Sequence, residues 1–207
     1  MTGFDAEAHW ENVYRSKGEV EVSWFEETPA LSIRLLQTAG LAPGMAVIDV
    51  GGGASRLVDA LAQSGDLEVT ILDLSTAALE KARARLPDIP AVKWVVSDVT
   101  AWTPDKKYDL WHDRAAFHFL TSPEDRNAYV RVMDQTLKMG GKAIIGTFAA
   151  DGPEKCSGLP TMRYEPGELA SILAPHFLLL HSQRHQHVTP WGSVQKFQFS
   201  IFKKAEE

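Results

Sequence analysis

The stretch "VIDVGGGASRL", Val47 to Leu57, runs from β-branched apolar residues through an acid into three consecutive glycines and out through Ala-Ser-Arg-Leu. Its reading is a buried strand, a glycine turn and the start of a helix, an arrangement that brings backbone amides and a helix N-terminus close to a ligand. Upstream, "PGM" at 43–45 is a turn, and "AVIDV" at 46–50 is the strand itself. Downstream, "RLVDALAQSG" at 56–65 is a helix that stops at Gly65.

From there the chain alternates. "EVTILDL" (68–74) is a strand and "TAALEKARARL" (76–86) a helix capped by Ser75. "VKWVVSDV" (92–99) and "YDLWHD" (108–113) are strands. "SPEDRNAYVRVMDQTLKMGG" (122–141) predicts a helix with Ser122 as cap, Pro123 and acids in its first turn, and Lys138 and glycines at its end. "KAIIGTFA" (142–149) is a fifth strand. Apolar strands alternating with helices mean a parallel sheet covered on both faces. The rhythm changes near the end, where "FLLLHSQRHQHVT" (177–189) and "QKFQFSIFKK" (195–204) are joined by only "PWGS" and Val194. So short a link predicts an antiparallel hairpin. Before the first strand, Ala8, Trp10, Val13 and Tyr14 mark one helix, ending near Lys17-Gly18. A second runs from a Thr28 cap and Pro29 through Leu31, Leu35, Leu36 and Ala39 to Gly40. Between them "VEVSWFEE" is a loop or short extended piece.

The expected fold is therefore a single α/β domain: a doubly wound, mostly parallel seven-stranded sheet with an antiparallel last strand and an N-terminal helical lid. Residues 1–44 form the lid, 45–148 the ligand-binding core, and 149–207 a substrate-side loop, helix and hairpin.

Composition narrows the function. The 207 residues are 44% apolar and 23% charged, with a formal net charge of −6. The acidic balance and the lack of a Lys/Arg run speak against nucleic acid as a partner. No apolar run approaches the ~18 residues of a membrane span, and no signal peptide is expected. The lone cysteine, Cys156, makes neither an internal disulfide nor a Cys-cluster metal site, so a reducing cytoplasmic setting is expected. His181, His185 and His187 share one face of a strand, but at ~3.3 Å per residue they spread too far for a compact site. No metal is expected.

In such a sheet ligands bind at the carboxyl ends of the strands. The dinucleotide fingerprint needs glycine where this chain has Arg56, so an NAD(P) oxidoreductase is disfavoured. Asp49 suits a ligand with an ammonium and a sulfonium. Asp73, about twenty residues on, suits ribose hydroxyls, and Asp98 in "VSDV" an adenine amino group. Three acids at three strand ends fit S-adenosylmethionine.

Here the chain resembles the class I S-adenosylmethionine-dependent methyltransferases: in "DVGGGAS" at 49–55, in Asp73, in Asp98 and in Gly140-Gly141 before the fifth strand. Ser55 departs from the loop's usual last glycine. The resemblance implies a methyltransferase with S-adenosylmethionine as cofactor and S-adenosyl-L-homocysteine as product. The cofactor residues it implies are Trp24, Asp49, Gly51, Gly53, Ser55, Asp73, Leu74, Ser97, Asp98, Val99 and Asp113. Asp113-Arg114-Ala115, within "WHDRAAFHFL" (111–120), also resembles the "D-R-G/A" segment of the thiopurine and thiol S-methyltransferases. That implies Arg114 beside the acceptor, His118 as base, His112 or Asp113 at the donor's methionine end, and a small acceptor with sulfur as a candidate atom. A protein lysine is the alternative acceptor. The plain alternatives are an ion pair of Arg114 with Asp113 or Asp109, a packed core histidine at His118, and core packing for Trp24-Phe25 in place of a lid. "DGPEKCSGLPTMRY" (151–164) is a candidate acceptor lid, with Cys156 near substrate or inert.

Overall fold

A computed structural model describes residues 5–86 and 92–206. The order is α1 (Ala6–Ser16), α2 (Ala30–Thr38), β1 (Ala46–Val50), α3 (Leu57–Gln63), β2 (Glu68–Asp73), α4 (Thr76–Arg85), β3 (Val92–Val96), β4 (Tyr108–Arg114), α5 (Pro123–Thr136), β5 (Leu137–Ala149), the two-residue strands β6 (Lys155–Cys156), β7 (Leu159–Pro160) and β8 (Arg163–Tyr164), α6 (Pro166–Leu173), β9 (Phe177–Val188) and β10 (Val194–Lys204). The main sheet runs β3-β2-β1-β4-β5-β10-β9, with β10 antiparallel to both neighbours. This is the doubly wound, seven-stranded α/β order with an antiparallel last strand. One addition is β8, which pairs with Phe148 and Ala149 of β5. Phe148 also pairs with Phe197 on its β10 side, so β8 takes over the lane that β4 leaves after Arg114.

The strands are buried because each alternates between two cores. Val47 of β1, with Ile71 and Leu110, packs beneath Leu35, Leu36, Leu57 and Leu61 on one face of the sheet. Ile48 and Val50, with Trp111 and Ile145, pack against Tyr129, Met133 and Leu169 on the other. Side chains of this size stabilise by roughly 1.5–3 kcal/mol each when fully buried. The helix caps are side-chain oxygens on orphan amides: Asp5 accepts from Ala8 at 2.9 Å, Ser75 from Ala78 at 3.0 Å and Ser122 from Asp125 at 3.1 Å.

Two expectations are corrected. Thr28 does not cap α2 with its side chain; its carbonyl accepts from Ala30 N–H at 2.8 Å, and Pro29 occupies the cap position. Helix α5 ends at Thr136, not at the glycines. Tyr108 of β4 pairs with Leu137 and Leu110 with Lys142, so β5 carries a bulge containing Gly140 and Gly141. Gly140 has φ +71°, and a Cβ on Gly141 would lie 2.9 Å from the Lys138 carbonyl and 3.1 Å from that of Asp109. The glycines are demanded by a strand bulge rather than a helix stop. Lys138 there binds both oxygens of Asp109 at 2.8 Å.

The "VEVSWFEE" segment starts in a 3₁₀ turn, Glu19–Glu21, and continues as a strap over the sheet's carboxyl edge. Among the described residues no helix is long and apolar enough to cross a membrane.

Candidate active site

A cavity of about 650 Å³ opens at the carboxyl ends of β1 to β4. One wall holds Gly51, Leu72, Asp73, Leu74, Ser97, Asp98 and Val99. The opposite wall is aromatic, with Trp10, Trp24, Phe119, Phe148 and Phe197, and includes Arg114 and Cys156.

The first wall is shaped by the glycine turn. Gly51 adopts φ +66°, and a Cβ there would lie 2.7 Å from the Ala116 Cβ, so the turn after β1 packs directly on the turn after β4. Gly53 has φ +45°, and its Cβ would meet an Asp73 oxygen and the Tyr14 hydroxyl, each at 2.9 Å. Gly52 leaves room for Asp49, whose Oδ2 would be 2.6 Å from a Cβ. The acid before the glycines therefore lies beneath the loop. Asp49 is 2% exposed and pairs through Oδ1 with His112 Nδ1 at 2.7 Å, while His112 Nε2 bonds Ser32 Oγ at 2.9 Å. Both ring nitrogens of His112 are used, its side chain is buried, and it does not line the cavity. His112 braces Asp49 and α2 and does not face the cavity, where it was expected at the donor's methionine end.

Asp73, at the end of β2, accepts from Ser75 N–H at 2.8 Å and lines the cavity. Burial pushes its carboxyl up to about 7, with the Asp49 charge adding to the rise and backbone amides opposing it. Asp98 turns one oxygen to Thr100, accepting from its N–H at 2.8 Å and its hydroxyl at 2.7 Å. Ser55 accepts from Leu57 N–H at 3.1 Å and lines a smaller cavity with Ala54, Trp24 and Arg114.

Of the expected cofactor residues, the main cavity wall contains Trp24, Gly51, Asp73, Leu74, Ser97, Asp98 and Val99; Asp49, Gly53, Ser55 and Asp113 are outside it. Asp113 is fully buried and accepts from Ala116 and Phe117 N–H at 2.8 and 3.0 Å and from the Tyr129 hydroxyl at 2.7 Å. Burial raises its carboxyl to about 6 against those bonds. It shapes the turn that follows β4, where Ala115 has φ +72°. Such a conformation costs a non-glycine residue roughly 1–3 kcal/mol, so the carboxylate's three donors offset strain held at the cavity wall.

Arg114 is neither paired with Asp113 or Asp109 nor free in the cavity. Its Nη1 donates to the Trp24 carbonyl at 2.9 Å, and Nη2 lies 3.4 Å from Glu26 Oε1 and 3.5 Å from His187 Nδ1. The guanidinium stacks over Phe197, 5.8 Å from its centroid. Burial lowers its pKa, with Glu26 and Asp49 opposing. For Glu26, burial pushes the carboxyl up, but His187 and the Arg114 charge outweigh this and hold it below the ordinary range. His187 donates from Nε2 to the Ser23 carbonyl at 2.6 Å. Strap, β4 and β9 thus meet at one polar knot.

His118 is corrected more firmly. It is fully buried, tilted against Phe148 and edge-on to Phe119 at 4.5 Å, and absent from the cavity wall. Its Nδ1 accepts from Phe148 N–H at 3.3 Å, and Nε2 has no partner among the described residues. Burial, aided by the Arg114 charge, drives its pKa down to about 3. It is a neutral core histidine and no base for a substrate in the cavity.

The 151–164 segment is a small hairpin, β6 and β7, whose turn residues Ser157 and Gly158 have φ +50° and +81°. It sets Cys156, Leu159 and Pro160 in the cavity wall. Cys156 is 8% exposed, and burial raises its thiol pKa despite Arg114. Among the described residues no three His, Cys, Asp or Glu side chains are placed to hold a metal.

The sequence reading missed Glu26, Phe148 and Phe197. Glu26 sits in an acidic loop like any other, and the two phenylalanines read as ordinary strand residues. Only tertiary pairing reveals that they face a cavity.

Residues 47–141 match a family model described as a methyltransferase domain. The chain is 30% identical over 140 residues to malonyl-[acyl-carrier protein] O-methyltransferase 1 of Ilyobacter polytropus, covering 63% of this chain and 51% of that protein. It spans about half the length of the curated relatives it matches. Among solved structures, one from work on conversion of a disulfide bond into a thioacetal group during echinomycin biosynthesis superposes with a TM-score of 0.76 at 20% identity, covering 97% of this chain and 92% of that one. The 1,6-didemethyltoxoflavin-N1-methyltransferase of Burkholderia thailandensis gives 0.74 at 21% identity, covering 97% and 87%. At these identities the structural likenesses establish the fold.

Proposed function

We propose that this protein is an S-adenosylmethionine-dependent methyltransferase acting on a small-molecule acceptor. The observation that carries the reading is Asp73: a buried carboxylate in the cavity wall at the end of β2, one oxygen tied to Ser75 N–H and the glycine turn pressed against the other. Backbone amides already donate to this carboxylate, and a ribose diol would add hydroxyl donors from the cavity side. Asp98 and the Val99 side chain flank it on the next strand end, where an adenine would lie. The family match over 47–141 agrees with this assignment.

When bound, S-adenosylmethionine supplies an activated methyl group on a sulfonium. The protein's contribution is alignment and exclusion of water. Gly51 and the strained Ala115 hold two turns in contact, so the space between them is fixed before any ligand arrives. Trp10, Trp24 and Phe119 close the far side, with ring centroids 5.0 Å apart for Trp10–Phe119 and 5.7 Å for Trp10–Trp24. By name, one protein above is an O-methyltransferase and another an N1-methyltransferase, so they leave the acceptor atom open. Sulfur, as in a thiol or sulfide, remains the finer candidate, and a protein lysine is the alternative.

The test is a methyl-transfer assay with labelled S-adenosylmethionine, presenting small sulfur, nitrogen and oxygen acceptors beside a cell lysate, with melting temperature followed in parallel. S-adenosyl-L-homocysteine at 100 times its dissociation constant should add about 2.7 kcal/mol of stability. Stabilisation by NAD alone would reject the reading, and a labelled lysate protein in preference to every small acceptor would move it to protein methylation.

A further inference from the structure

We propose that the acceptor is a neutral lone-pair nucleophile, a sulfide sulfur or a heteroaromatic ring nitrogen, which surrenders no proton and leaves the site as a cation. This rests on the methyltransferase reading and sharpens it. The first ground is the state of the one cation in the described wall. Arg114 already has a carboxylate at 3.4 Å and a carbonyl at 2.9 Å, and Phe197 covers it. Its charge is answered from within the protein, so an incoming anion gains little there and must still be desolvated.

The second ground is the set of titratable groups around the aromatic wall. From α1, Tyr14 is held protonated by burial. From the strap, Glu26 is committed to Arg114 and His187. Asp73 and Asp98 belong to the opposite wall, and Asp125 on α5 is an exposed rim residue that accepts from Ser122 Oγ at 2.7 Å. His118, after β4, faces the core, and His187 on β9 is bonded to Ser23. His185, also on β9, is outside the wall and packs at 6.1 Å from Phe199. Cys156 on β6 acts as a built-in probe: a thiol placed in this wall becomes harder to ionise, because burial outweighs Arg114. None of these described groups is placed to take a proton from a thiol, phenol or ammonium.

The third ground is positive. Six aromatic rings line the cavity, Trp10, Tyr14, Trp24, Phe119, Phe148 and Phe197, beside one guanidinium. Ring faces favour a positive charge as it develops on the acceptor. The step balances without a base. The acceptor's lone pair forms the new bond to the methyl carbon, the donor sulfur keeps the electron pair of the bond that breaks, and the positive charge moves to the acceptor.

The test uses the whole protein saturated with S-adenosyl-L-homocysteine. Titration with dimethylphenylsulfonium and N-methylquinolinium separates sulfur from nitrogen; benzoate and thiophenolate are the anion controls. One or both cations should bind at least about tenfold more tightly than either anion, a difference of about 1.4 kcal/mol. Phe119→Leu should weaken the cation severalfold more than it weakens S-adenosyl-L-homocysteine. In turnover, thioanisole or quinoline should be methylated at a rate flat from about pH 6 to about pH 9, the range in which a thiol of pKa ~8.5 would ionise. Tighter binding of the anions, no binding of either cation, or faster methylation of thiophenol rising with pH would each overturn the proposal. If S-adenosyl-L-homocysteine itself fails to bind, the methyltransferase reading has failed first, and the two failures are thereby told apart.

Discussion

The two walls of the cavity are built on opposite plans. The wall with Asp73 and Asp98 comes from consecutive strand ends within residues 47–99, and its shape is set by backbone: glycines at φ +66° and +45° and an acid wedged beneath them. The aromatic wall draws single side chains from α1, the strap, the turn after β4, β5, the β6–β7 hairpin and β10. One wall is a local motif; the other exists only after the chain has folded. The difference teaches that the first wall fails when backbone geometry is disturbed, and the second when a long-range polar or packing contact is lost.

The largest effect is expected in the aromatic wall. Arg114→Ala leaves Glu26, whose side chain is 18% exposed, without its guanidinium and releases the strap. Loss of one partner of a buried pair costs about 3 kcal/mol or more, read from denaturant unfolding. Adding Glu26→Gln should recover part of it. A loss below about 1 kcal/mol would mean the pair behaves like a surface contact.

Next is the glycine wall. Gly51→Val places a β-branched residue at φ +66° with its Cβ 2.7 Å from Ala116. S-adenosyl-L-homocysteine affinity should fall about a hundredfold, or about 2.7 kcal/mol. An unchanged affinity in a folded variant would show that the two turns need not touch.

A smaller effect concerns pH. His118 has a folded pKa near 3 against 6.5 for the ordinary side chain. The unfolded chain therefore binds the extra proton between these values, and stability falls as pH drops below about 6.5. Between about pH 6.5 and pH 5 the wild type should lose about 2 kcal/mol more than His118→Phe, at ~1.36 kcal/mol per unit. Parallel curves for the two proteins would place His118 in contact with water.

The smallest effect is at the strap's outer end. Arg56, where a dinucleotide fingerprint would have glycine, pairs with Glu27 at 2.5 Å and Glu19 at 3.4 Å. Arg56→Ala should cost under about 1 kcal/mol, diminishing with salt. A larger, salt-independent loss would assign Arg56 a packing role through Phe25, whose ring centroid is 5.4 Å away.

The same contrast explains what was legible in the sequence. The mostly parallel sheet and the antiparallel last strand followed from apolar alternation and the short link, because local pattern decides which face is buried. That Asp73 ends a strand at the sheet's carboxyl edge was legible from the strand pattern. Asp49 was found but misplaced, since spacing cannot show that the acid points under the loop to His112. Arg114 and His118, four positions apart in the chain but one at the wall and one in the core, were indistinguishable in "DRAAFHF". The positive φ of Ala115 turns the chain between them. Glu26 and Phe197 lie 171 positions apart and meet only through Arg114, a distance no local pattern bridges.

The central claim is that the Asp73 wall holds the donor. Calorimetric titration of S-adenosyl-L-homocysteine into wild type and Asp73→Asn tests it directly. Asn keeps the shape but loses the charge-assisted bonds, each worth roughly 1.5–3 kcal/mol. The account predicts one site per chain in the wild type and at least about tenfold weaker binding in the variant, with its melting temperature retained. Equal affinity in a folded Asp73→Asn protein would contradict it.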